Sequence, residues 1–289
     1  MIRMACKSII PSIGFLFMAA VSAHAQPVLL QISPHVGDTM NVRMNQEVQM
    51  RGTPAGCPSS YATPRRNGKL NPETRLCAEG TRQMTTMMEV FSRAIVRKTS
   101  REGALVTAVT DSIRTSMSNG TAKRAAPTRL RQTNDEIDMR VATDGAAEVI
   151  DTNASDELRA IFGQMPAVLS RKPVSRGDTW TRQMRIPLAG ELGATGLVSA
   201  TFQLDSLGKN GDIAYISMRG KLSHDHSDGS VSELSGWLTG TMQLDRRLAW
   251  ITETRAVIDA TSTVQGISGG APMVVHTHVT QQLKASRSK

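Results

Sequence analysis

Apolar and polar residues alternate through long stretches of this chain. In "TMNVRMNQEVQM" (39–50), Met40, Val42 and Met44 stand two apart with Asn41, Arg43 and Asn45 between them. That is the period of a half-buried strand. The phase slips near Glu47, so a bulge or bend is expected there. The segments "YISMRGKL" (215–222), "TGTMQLD" (239–245) and "TETRAVIDATSTV" (252–264) repeat the style, rich in Thr, Val and Ile, with Gly or Asp at the turns. The stretch "MTTMMEVFSRAIVRKTS" (84–100) fits a helical and a strand period alike. The residues after it decide for a strand: "SREG" reads as a turn and "ALVTAVTDSIRTSM" (104–117) is rich in β-branched residues, which together make a long hairpin.

One segment has helical spacing. In "NASDELRAIFGQM" (153–165), Asn153 is a cap, Asp156 and Glu157 lie in the first turn, and Leu158, Ile161, Phe162 and Met165 share one face. The expected fold is therefore mainly β: one large curved antiparallel sheet or half-barrel with a central amphipathic helix at about 153–165. After residues 1–25 the chain reads as a single β-rich domain, with two β meanders (about 26–152 and 173–289) joined by that helix. The helix's apolar stripe would face the sheet, and its four apolar residues are candidate pocket residues. Each meander opens on the same short motif: "VGDTM" at 36–40 and "RGDTW" at 176–180. Gly37 with Asp38 and Gly177 with Asp178 read as structural turns, and Trp180 as a core anchor at the start of its strand.

Compartment comes from the first 25 residues. Arg3 and Lys7 precede the apolar run "IIPSIGFLFMAAVS", and the small residues Ala23 and Ala25 suit cleavage before Gln26. That is the pattern of a secretory signal peptide. Cys6 lies too early to be a lipoprotein cysteine, so a periplasmic or secreted protein without a lipid anchor is expected. No later apolar run reaches the roughly 20 residues a membrane helix needs. In an oxidising compartment the remaining cysteines, Cys57 and Cys77, are expected to form a disulfide across a loop rich in Pro, Asn, Ser and Arg.

Removal of Arg3 and Lys7 lowers the formal charge from +9 to +7, so the chain stays basic. The Lys and Arg residues gather in "PRRNGK" (64–69) and "AKRAAPTRLR" (122–131), stretches that read first as solvated loops. Aromatic residues make up only 3% of the chain, too few for the stacking platforms of single-strand nucleic-acid binders. No nucleic-acid partner is expected.

With Gly-Asp-Thr at the start of a long early strand, a central helix, "PVSRGDTW", and "GWLTGTMQLDRRLAWI" (236–251), the chain resembles an uncharacterised family of secreted bacterial β proteins. The likeness implies a fold type and carries no assigned catalytic residues. Long strands curving around one helix also resemble, more remotely, half-barrel carriers of the LolA and LppX kind, which implies a lipophilic ligand.

Candidate chemistry is sparse. His224 with His226 ("HDHSD") and His276 with His278 ("HTH") are spaced two apart. On a strand each pair faces one side and offers two imidazoles to one metal. Gly266, Ser268 and Gly270 meet the Gly-x-Ser-x-Gly pattern of a nucleophile elbow, but a strand pattern comes next where that elbow needs a helix. Glu89, Asp111 and Glu233 are scattered. The reading that remains is concavity: a curved sheet with Met84, Met87, Met88, Met117, Met139 and Met218 as adaptable lining. The leading expectation is a non-catalytic envelope protein that binds a lipid, a peptide or an envelope partner and needs no cofactor. The alternatives are a metal-binding protein or metal-dependent hydrolase using the paired histidines, and an interaction protein with no small ligand.

Overall fold

The computed structural model describes residues 26–57, 77, 80–119, 128–130, 135–151, 167–187, 195–224, 233–264 and 272–288. Among them are twelve strands: β1 (Thr39–Pro54), β2 (Arg82–Ser100), β3 (Gly103–Asn119), β4 (Thr128–Leu130), β5 (Asp135–Ala142), β6 (Ala147–Val149), β7 (Thr179–Pro187), β8 (Thr195–Gly208), β9 (Ile213–His224), β10 (Leu234–Asp245), β11 (Trp250–Val264) and β12 (Met273–Arg287). They form one antiparallel sheet in the order β6-β5-β3-β2-β1-β12-β11-β10-β9-β8-β7, with β4 beside β3. Almost every neighbour in space is a neighbour in sequence, as in an up-and-down barrel. The exceptional ladder joins the first long strand to the last, from Met40↔Arg287 to Pro54↔Met273. The sheet is open between β6 and β7.

The ambiguous segment 84–100 lies within β2, and the turn at 100–103 leads into β3 as the sequence implies. β1 corrects one expectation. Its register with β2 and β12 runs without a break through Glu47, because Gln46 keeps its place in the alternation between Met44 and Val48 and simply puts a polar side chain on an otherwise apolar face. The register shifts fall elsewhere, in β2 after Phe91 and Val96, in β8 after Leu204 and in β10 after Gln243. Among the described residues helical backbone is confined to a short 3-10 turn, Lys209–Gly211, and to Cys77 and Gly80 ahead of β2. The segment 153–165, with Leu158, Ile161, Phe162 and Met165, lies outside the described residues, as do 1–25, His226, Ser268 and the basic stretch 64–69.

The two Gly-Asp-Thr segments make the same turn. Gly37 and Gly177 have φ of 86° and 90°, a left-handed conformation that glycine adopts without steric cost. Gly37 N–H donates to Val96 O and receives the strand through Val96 N–H to Asp38 O; Gly177 and Asp178 do the same with Leu204. Each aspartate also caps its own turn, Asp38 Oδ2 accepting from His35 N–H at 3.0 Å and Asp178 Oδ2 from Ser175 N–H at 2.7 Å. Their surroundings differ: Asp38 is buried and ion-paired to Arg287, whereas Asp178 is exposed.

One end of the sheet is gathered into a core. The N-terminal segment crosses it, with Val28 bridged to Val174 and Ile32 N–H donating to Thr143 O. Leu30, Leu169, Met40, Val96, Val106, Phe202, Leu204 and Ile216 are all buried there. Across the split, Asp144 works as a clasp. Its backbone oxygen accepts from Val168 and Leu169 N–H, and its carboxylate accepts from Arg171 Nε at 2.8 Å. Burial pushes the Asp144 carboxyl up, but the hydrogen bonds of Arg171 and Ala146 and the charges of Arg171 and Arg182 outweigh it and hold its pKa below the ordinary carboxylate range. On the β7 side, Trp180 Nε1 donates to Val168 O at 2.9 Å and its ring stacks on Phe202 at 5.8 Å.

Candidate functional site

Cross-strand pairing sorts every strand residue onto one of two faces. The face carrying Met40 is apolar and will be called inner. On β8, β9 and β10 its positions are Val198, Ala200, Phe202, Leu204, Ala214, Ile216, Met218, Gly220, Leu222, Leu234, Gly236, Leu238, Gly240, Met242 and Leu244. Large and small residues interlock here, and the large ones are buried. A Cβ on Gly240 would stand 2.3 Å from the Met218 methyl and 2.2 Å from Arg255 O, so this glycine is where a neighbouring side chain fits against the sheet.

The same face has another character on β1, β2, β3 and β12. Met44, Gln46, Val48, Met50, Met84, Thr86, Met88, Val90, Ile113, Thr115, Met117, Thr277, Val279, Gln281 and Leu283 are aligned across these strands. Apart from Met117, which is 53% exposed, they are half-buried, and they do not belong to the buried core. Methionine makes up half of the apolar part, and Gln281 Nε2 lies 3.3 Å from Met44 Sδ. Met139 and Met218 are also inner, but Met218 is core. Met87 is a correction to the pocket reading: it pairs with Glu47 on the opposite face, since it is one residue out of phase with Met88.

That outer face is polar and laced with ion pairs. Glu89 sits between Arg43 and Arg114, and both guanidinium groups lie over the Phe91 ring, at 5.3 and 5.5 Å. Arg93 pairs with Asp111. Burial raises the Glu253 pKa, yet the hydrogen bonds of Arg255 and Gln282 and the charges of Arg255 and Lys284 carry it below the ordinary range. Open grooves run across the strands on this face, between neighbouring ladders of side chains. One of about 1030 Å³ crosses from Arg114 and Ser116 through Glu47 and Met87 to Arg255 and Val257.

A second groove, of about 520 Å³, holds the histidine pair of β12. One wall is the ladder Gln49–His278–Asp259–Trp237, the other Arg51–His276–Thr261–Ser235. His278 Nδ1 is 2.6 Å from Asp259 Oδ1, and His276 Nδ1 is 3.0 Å from Thr261 Oγ1. The strand that ends at His224 is not a neighbour of β12: β9 is separated from it by β10 and β11. Among the described residues no group of three or more His, Cys, Asp or Glu side chains is placed to hold a metal ion. The groove partners Asp259, Thr261, Arg51 and Trp237 were not singled out by the sequence, where their only mark is a period-2 position. Cys57 and Cys77 are disulfide-bonded, with Cα atoms 5.7 Å apart, next to the end of β1.

The fold and its two faces define an open, mainly β protein, apolar on one side of the sheet and charged on the other. Over residues 142–251 the chain matches a family of unknown function, DUF6263. No curated protein matches it. Among solved structures it is similar to lipovitellin, in a structure describing lipid–protein interactions, with 9% identity and a TM-score of 0.47 over 88% of this chain. The chain spans about a quarter (26%) of that protein. It is also similar to an outer membrane channel from Pseudomonas putida F1, with 9% identity over 96% of this chain and 100% of the channel, and a TM-score of 0.25. No helix among the described residues is long and apolar enough to cross a membrane.

Proposed function

We propose that this chain is a non-catalytic periplasmic or secreted protein that binds a lipophilic ligand on the inner face of its sheet. The observation that carries the reading is the half-buried, methionine-rich continuation of the core across β1, β2, β3 and β12. A domain that needed this face only for its own packing would interlock it as β8 to β10 do. Flexible, polarizable methionines accommodate a partner whose shape varies. Thr86, Thr115, Thr277, Gln46 and Gln281 on the same face give a ligand's polar atoms hydrogen-bond partners, as in pockets that are mostly apolar with a few placed polar groups. The disulfide supports an oxidising compartment.

The test is a pair of mass spectra of the protein purified from an oxidising compartment, native and denatured, followed by titration with a fluorescent fatty acid. A mass excess lost on denaturation, or saturable probe binding weakened severalfold by Met44→Gln with Met88→Gln, is the expected result. Identical spectra together with no saturable probe binding would overturn the proposal.

A further inference from the structure

We infer that His276 and His278 form a two-imidazole site for a divalent transition cation, Zn²⁺ or Cu²⁺, in the outer-face groove. The site is separate from the inner-face ligand surface and stands whether or not a lipophile binds there. Same-face neighbours on a strand are about 6.7 Å apart, and metal–imidazole bonds of about 2.0 Å let two such rings converge on one ion. The hydrogen bonds favour the tautomers it needs. Asp259 Oδ1 lies 2.6 Å from His278 Nδ1, and a carboxylate accepting the Nδ1–H there leaves the Nε2 lone pair free. The Thr261 hydroxyl can accept the Nδ1–H of His276 at 3.0 Å in the same way. A carboxylate behind a histidine orients the ring and raises its basicity as a ligand.

Both walls of the groove contribute, since His278 and His276 stand on adjacent ladders with Thr277 and Ala260 between them at the floor. The charged groups lining it are Arg51 and Asp259. Arg51 pairs with His276 across β1 and β12 and opposes a cation; Asp259 offsets it. Waters complete the coordination, which suits ions that accept nitrogen donors with open positions.

Zn²⁺ titration by calorimetry and Cu²⁺ titration by electron paramagnetic resonance test this on the whole protein without a histidine tag. One-to-one saturable binding with nitrogen hyperfine structure is expected. His276→Gln and His278→Gln should each weaken it more than tenfold. Asp259→Asn should weaken it about 10- to 100-fold at unchanged stoichiometry, and Arg51→Gln should tighten it. Unfolding curves of the variants confirm that the sheet is intact, since all four side chains are on a solvent wall. The inference is overturned by the absence of saturable binding, or by binding that survives in the double histidine variant and so belongs to His224 and His226 or another group.

Discussion

The inner face of β8 to β10 and the inner face of β1 to β3 with β12 follow one alternation rule and yet differ in kind. The first interleaves Phe202, Leu204, Ile216 and Leu238 with Gly220, Gly236 and Gly240, and Met218 reaches over Gly240 and Val198 over Gly220. The second lines up methionines with Thr and Gln and leaves them half-buried. Interlocked shape is what a protein uses to specify one packed state. A row of long flexible side chains specifies less and adapts more. One sheet thus carries a region that defines the fold and a region suited to something other than the fold.

That contrast breaks first at its packed side. Phe202→Ala should cost about 3–5 kcal/mol in denaturant unfolding, the range for removing a fully buried aromatic ring. Next is the staple beside the methionine-rich side: Cys57→Ser with Cys77→Ser should cost about 3 kcal/mol, the loop-closure value, read as a fall in denaturation midpoint. The clasp comes third. The Asp144 pKa is lowered on folding, so its stabilisation is complete above the unfolded-state value of about 3.9 and is lost as pH falls through the folded value. Asp144→Asn should cost about 1 kcal/mol at neutral pH, because Arg171 is largely exposed, and should flatten the acid limb of the stability profile. Smallest is Met88→Ala, at about 1 kcal/mol or less, since a half-buried side chain leaves little cavity. A loss there as large as that of Phe202→Ala would erase the distinction between the two regions.

Much of this is legible in the residues themselves. Alternation yields most of the strands, the turn and β-branched run that follow decide 84–100, and period 2 puts His276 and His278 on one side, because it is a local property of extended backbone. The chemistry of the compartment yields the Cys57–Cys77 bridge. Period 2 says nothing about which strand lies alongside. That β1 meets β12, that Asp259 and Thr261 stand behind the two histidines, and that Arg51 flanks them all depend on pairings over great sequence distances. The phase slip expected at Glu47 treats Gln46 as a break in the pattern, when a polar residue on a face that is only half-buried costs little. Grouping Met87 with Met88 by residue type overlooks that neighbours in a strand always point apart.

The ladder between β1 and β12 has a consequence for how the chain reaches its fold. Met40 and Arg287 meet only when everything from β1 to β12 has been synthesised, whereas the other long strands mostly pair with their neighbours in sequence. Closing so long a loop is slow. Until it closes, β1 and β12 are both bare edges with unpaired N–H and C=O groups, and each complements the other on a second molecule as well as on its own. Crowded refolding of this protein should therefore give strand-exchanged dimers joined at that one seam, while dilution favours the monomer.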